Sequence, residues 1–139
     1  MKKILIVDDE ALILYSLSMM LDSNDRDVRT VSNGKDALKE INNRHYDLCL
    51  LDVHLPDMNG LDIMKIIKVV SPATKIIIMT ASEIAYTMMN VIRENAHHFM
   101  SKPFDLFHVS NCVDHLLSQG TPLFADKNEP FAEYASFMR

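Results

Sequence analysis

The chain carries only two cysteines, Cys49 and Cys112, among its 139 residues. They form no CxxC pair and no zinc spacing, and read as two small buried hydrophobes in a reducing cytoplasm. No stretch approaches the roughly 18 apolar residues of a membrane span. A signal peptide is not expected either: Asp8-Asp9-Glu10 ends the first apolar run after Ile4–Val7, and no small-residue cleavage site follows. No basic run suggests a DNA-reading arm, and a net charge of -5 disfavours non-specific nucleic-acid binding. No internal repeat appears beyond a β-α unit.

Short apolar runs of strand length are present instead, at Ile4–Val7, Val28–Val31, Leu48–Leu51 and Ile76–Met79, with a weaker one at Phe99–Met100. Between them, apolar residues recur at helical spacing. The stripes are Ile13, Leu17, Met20 and Leu21; then Ala37, Leu38 and Ile41; then Met64, Ile67 and Val70; and last Leu106, Val109, Val113, Leu116 and Leu117. A fourth helix candidate holds Ile84, Tyr86, Met88, Met89, Val91 and Ile92, more apolar residues than one buried face needs. The surplus reads as scattered surface hydrophobes or as a partner surface rich in adaptable methionine.

Five β-α repeats call for an α/β fold: a parallel sheet with helices on both faces. Runs apolar at every position suit strands covered on both sides, whereas the mixed Val-Arg-Thr-Val run suits a sheet edge. Ser32 or Asn33, Asn59 or Gly60, and Asp105 are candidate helix caps, and Gly120 a stop signal. The single domain is expected over 1–119. Residues 120–139 read as a tail or linker, in which Phe131, Tyr134, Ala135 and Met138 could line a short helix.

Unusual chemistry sits where four of these runs end: Val7-Asp8-Asp9, Leu51-Asp52, Met79-Thr80 and Ser101-Lys102-Pro103. In an open parallel sheet, ligands bind outside the carboxyl ends of the strands. Asp8, Asp9 and Asp52 should therefore share one crevice with Thr80 and Lys102. Two carboxylates about 4 Å apart repel by roughly 4 kcal/mol at an effective dielectric near 20, so such a site holds a proton or a cation. Oxygen donors with retained waters suit Mg²⁺. A carboxylate beside such a cation can act as a nucleophile toward phosphorus, with Lys102 and Thr80 placed for phosphoryl oxygens.

These residues resemble the receiver domain of bacterial two-component response regulators. The strings that carry the likeness are Ile6-Val7-Asp8-Asp9-Glu10, Leu51-Asp52-Val53-His54-Leu55-Pro56-Asp57-Met58-Asn59-Gly60, Met79-Thr80-Ala81 and Ser101-Lys102-Pro103-Phe104. The likeness runs from about Lys2 to Gln119. The resemblance implies a flavodoxin-like, doubly wound five-stranded sheet in the order 2-1-3-4-5. It implies Asp52 as the phosphoacceptor. Mg²⁺ would be held by Asp8, Asp9, Asp52 and the backbone carbonyl of His54. Lys102 and Thr80 would contact the phosphoryl group, Thr80 and Phe99 would switch, and the Lys102-Pro103 bond would be cis. The implied partners are a histidine kinase or phosphotransfer protein, and a downstream protein or an effector domain. A homodimer through the helix 4–strand 5–helix 5 face is a further expectation. No contact with nucleic acid or membrane is expected of this chain.

The sequence departs from the family at Asn95-Ala96-His97-His98-Phe99. Asn95 stands where a glycine is usual and tolerates a left-handed backbone better than most residues. Phe99 stands where tyrosine is frequent. His97 and His98 read as a partly exposed polar pair whose side chains point apart. His45, His108 and His115 show no clear partners. His54 and Ser82, two positions after Asp52 and Thr80, border the expected phosphoryl position. An aspartate-nucleophile phosphatase of the haloacid dehalogenase type would want an acid at position 54, where the chain has His54. A stand-alone enzyme is therefore not expected. The chain reads equally as a single-domain regulator or as part of a longer protein.

Overall fold

The computed structural model describes residues 1–81 and 86–119, without the side chains of Tyr86 and Gln119. Ser82, Ile84, Gly120 and the expected tail helix lie outside the described residues, as does the side chain of Tyr86. Strands and helices alternate: β1 (Lys2–Val7), α1 (Ala11–Leu21), β2 (Arg26–Val31), α2 (Gly34–Asn43), β3 (Leu48–Asp52), α3 (Gly60–Val70), β4 (Lys75–Thr80), α4 (Tyr86–Asn95), β5 (His98–Ser101) and α5 (Leu106–Gln119). The strands form one parallel sheet in the order β2-β1-β3-β4-β5. This is the α/β arrangement the alternation predicted.

Successive strand residues face opposite sides of the sheet and so feed two cores. Leu5, Val7, Cys49, Leu51, Ile76 and Ile78 pack with α2, α3 and α4. Ile4, Ile6, Leu48, Leu50, Ile77 and Met79 pack with α1 and α5. Each fully buried aliphatic side chain is worth about 1.5–3 kcal/mol, so these layers outweigh any exposed ion pair in holding the sheet. The surplus apolar residues of α4 have a place here. Met89 and Ile92 are buried, and Met88 and Val91 are partly buried against the same core.

Local capping follows side-chain chemistry. The Asn33 amide oxygen accepts from Asp36 N–H, that of Asn59 accepts from Leu61 N–H, and Asp105 accepts from Phe107 N–H. Asn95 differs from expectation. No non-glycine residue has positive φ among the described residues; the Asn95 amide instead donates to the Val91 carbonyl at 2.7 Å, so its side chain satisfies the helix end.

Of the histidine pair, His97 is partly exposed as expected and only His98 differs. His97 is half-buried, accepts from Ile76 N–H at Nδ1 (3.1 Å), and is pushed down to about 4 by burial and by Lys68 and Lys75. His98 is 2 % exposed and likewise held near 4 by burial and by His108 and His115. His97 directly precedes β5, and His98, its first residue, lies on the face that α5 covers. Cys49 and Cys112 are buried free thiols, with burial pushing them up to about 12 and about 11. No helix among the described residues is long and apolar enough to cross a membrane.

Candidate functional site

The sheet register brings the strand ends into line. Val7 pairs with Leu51, Asp52 with Met79, and Thr80 with Ser101. The residues at or just past these ends, Asp8, Asp52, Thr80 and Lys102, therefore emerge along one edge. Asp8, Asp9 and Asp52 each offer a carboxylate oxygen, and these lie within 4.8 Å of one another. Asp8 and Thr80 are fully buried, Asp52 is 3 % exposed, and Asp9 is exposed.

Asp8 is oriented from two sides. Its Oδ1 accepts from Glu10 N–H at the start of α1 (2.8 Å), where the helix dipole favours a negative charge. Its Oδ2 lies 2.7 Å from Lys102 Nζ, outside hydrogen-bond alignment but within a close ion pair. The same ammonium donates to Asp52 Oδ2 at 3.3 Å and lies 3.9 Å from exposed Glu10. Asp52 Oδ1 accepts from His54 N–H at 3.2 Å. The His54 side chain is exposed.

Burial and the neighbouring Asp8 charge raise the Asp52 carboxyl above its ordinary range, against the lowering pull of Lys102 and the His54 N–H. Burial opposes the Lys102 charge, but the Asp8 and Asp52 carboxylates outweigh it and hold the amine above its usual value. One ammonium cannot balance three carboxylates. At separations of this size each unshielded carboxylate pair costs roughly 3–4 kcal/mol at an effective dielectric near 20. The donor set is all oxygen and the uncompensated charge is about two, which fits a hard divalent cation.

The Thr80 hydroxyl is buried with no hydrogen-bond partner among the described residues. Its backbone carbonyl accepts from Lys102 N–H at 2.7 Å. The Lys102-Pro103 peptide is cis. Phe99 is 4 % exposed, on the face of β5 that meets α4. Asp8, Asp9, Asp52 and Lys102 thus converge at one crevice, with Thr80 at the adjoining strand end and Phe99 beneath a neighbouring face.

Asp57 was not singled out from the sequence. Its two carboxylate oxygens accept from Gly34 N–H (2.7 Å) and Lys35 N–H (2.9 Å), tying the loop after β3 to the start of α2. These hydrogen bonds hold the Asp57 carboxyl below its ordinary range. The pairing spans more than twenty residues, so no local pattern signals it.

Residues 4–114 match the response regulator receiver domain, and the chain belongs to that family. Fold and crevice thus define a receiver domain of two-component signalling. Among its relatives, the regulatory protein LuxO of Vibrio cholerae is 31% identical over 132 residues, covering 95% of this chain and 29% of LuxO. The DNA-binding transcriptional regulator NtrC of Azospirillum brasilense is 33% identical over 119 residues, 86% of this chain and 25% of NtrC. The chain spans less than a third of the length of these relatives. A CheY-like receiver domain protein of Methanospirillum hungatei superposes with a TM-score of 0.80 at 26% identity, over 86% of this chain and 95% of the other. The response regulator TrrA of Thermotoga maritima, solved in complex with Mg(2+)-BeF, superposes with a TM-score of 0.74 at 32% identity, over 84% of this chain and all 100% of TrrA.

Proposed function

We propose that this receiver takes a phosphoryl group from a histidine kinase or phosphotransfer protein onto the Asp52 carboxylate and changes its affinity for a partner. The observation that carries this reading is the Lys102 ammonium, held against both Asp8 and Asp52, with the buried Thr80 hydroxyl at the adjoining strand end having no hydrogen-bond partner among the described residues. Asp8, Asp9, Asp52 and the His54 carbonyl would hold Mg²⁺, which when bound neutralises charge on the transferring group. The complex of TrrA with Mg(2+)-BeF supports that choice of ion.

The residues of the chain divide the remaining work. Asp52 attacks phosphorus as the donor imidazole leaves. Lys102, a compact charge on a flexible stem, follows a phosphoryl oxygen while staying near Asp8. Thr80, whose hydroxyl has no hydrogen-bond partner among the described residues, donates to another phosphoryl oxygen. Phosphorylation adds nearly two negative charges at this spot, enough to bias a packing change that includes Phe99. Output passes to a downstream protein or an effector domain, and a homodimer through α4, β5 and α5 is one form it takes. The module works in the cytoplasm, contacts neither nucleic acid nor membrane itself, and is a phosphoacceptor without stand-alone metabolic turnover.

The test is incubation with a small phosphodonor and Mg²⁺, followed by intact-mass measurement. Wild type gains one phosphoryl group and Asp52→Asn gains none. Equal labelling of Asp52→Asn overturns the assignment.

A further inference from the structure

His98, His108 and Cys112 meet on the side of the sheet opposite Phe99. His98 opens β5 and is buried on the face that packs on α5; its ring lies edge-on to that of His108, centroids 5.6 Å apart at 63°. His108 and Cys112 are one turn apart on α5, with Cys112 Sγ 3.8 Å from His108 Nε2. One nitrogen from each imidazole and the sulfur all lie within 4.8 Å of one another. Zinc bonds of about 2.0–2.3 Å would hold such atoms somewhat under 4 Å apart, so closure asks for little more than side-chain rotation. Exposed His108 gives an ion a way in, while buried His98 and Cys112 form a fixed wall. His115 lies one turn beyond Cys112, near enough for its charge to act on His98.

We infer that His98, His108 and Cys112 form a second metal site, separate from the acidic crevice, for a borderline divalent cation of the Zn²⁺ type. Two imidazoles and a sulfur are the wrong donors for Mg²⁺ or Ca²⁺ and the right ones for Zn²⁺. The Sγ–metal bond replaces the S–H bond, and the thiol proton goes to solvent. No electron changes hands. Three ligands leave a fourth position for water or the His115 ring. The bound ion would pin β5 to α5 from behind the strand that carries Phe99.

The experiment is titration with Co²⁺, then displacement by Zn²⁺, with Mg²⁺ in excess to occupy the acidic crevice. Wild type should take up one Co²⁺ with visible d–d bands and a thiolate-to-cobalt charge-transfer band, both lost on adding Zn²⁺. Cys112→Ser should lose the charge-transfer band. His108→Ala alters an exposed position and should keep the wild-type far-ultraviolet circular dichroism. Its affinity should fall at least about tenfold, since even the hydrogen-bond partner of a metal ligand is worth roughly 10–100-fold. No thiolate band in wild type, or a wild-type titration by folded His108→Ala, overturns the site. Neither result bears on phosphorylation of Asp52, which is read by mass without cobalt.

Discussion

Gly60 is packed against the backbone of Asp52: a Cβ at Gly60 would stand 2.0 Å from the Asp52 carbonyl oxygen and 2.9 Å from its carbonyl carbon. The Gly60 N–H also donates to the Val53 carbonyl at 2.7 Å. The start of α3 therefore leans directly on the strand end that presents the Asp52 carboxylate, the proposed acceptor. Gly60→Ala should cost about 1–3 kcal/mol in urea unfolding, the usual range for overpacking, and should slow phosphorylation by displacing Asp52. Gly34 is the control. A Cβ there meets the flexible Met58 side chain, 2.1 Å from Cγ, so Gly34→Ala should cost less and leave phosphorylation near wild type. Equal costs for the two variants would contradict this ranking.

Asp52→Asn should stabilise the protein at neutral pH without added metal. The folded carboxyl is raised above its ordinary 3.8, so the folded state holds the proton more tightly than the unfolded chain. The stabilising effect of that proton is present below 3.8 and is lost as pH rises through the folded value. Melting temperatures in a chelator should show the variant above wild type at pH 7, with the gap closing in acid. Added Mg²⁺ should narrow the gap by raising wild type.

Asp57 has the opposite sign. Its carboxyl is lowered by the Gly34 and Lys35 N–H groups, so its contribution is present above 3.8 and lost as pH falls through the folded value. Asp57→Ala should destabilise the protein at pH 7 and lose that difference in acid, measured by the same melts.

Thr80→Val should raise stability by roughly 1 kcal/mol, because the buried Thr80 hydroxyl has no partner among the described residues and such a group carries a desolvation cost of about 1–3 kcal/mol. The gain should come with a loss of response. On phosphorylation, wild type should show chemical-shift changes at Phe99 and the valine variant should not. A shift at Phe99 of wild-type size in Thr80→Val would remove the hydroxyl from the switch.

The crevice was legible because its five polar residues sit at the ends of apolar runs, and run ends are where a parallel sheet exposes its chemistry. Asn33, Asn59 and Asp105 were legible as caps because capping is a local event. What escaped was contact between distant segments. β2 begins at Arg26 rather than Val28 because backbone pairing with Lys2 and Lys3 asks nothing of the side chains at a sheet edge. His98 was misread as partly exposed because its polarity gave no hint that α5 would cover it with His108 and Cys112. That Asp8 and Lys102 share the crevice was legible, but their direct ion pair joins opposite ends of the domain and leaves no pattern in either string.

The hydrogen bond from Lys102 N–H to the Thr80 carbonyl, together with the pairing of Thr80 and Ser101, fixes the main chain on both sides of the crevice mouth. With the strand held this way, the switching motion proposed for the Thr80 hydroxyl would need only a turn about its side-chain bond. Such a turn needs no refolding step. Side-chain rotations of that kind run in picoseconds to nanoseconds at exposed positions, so under the proposed function the local event would precede any slower association with a partner.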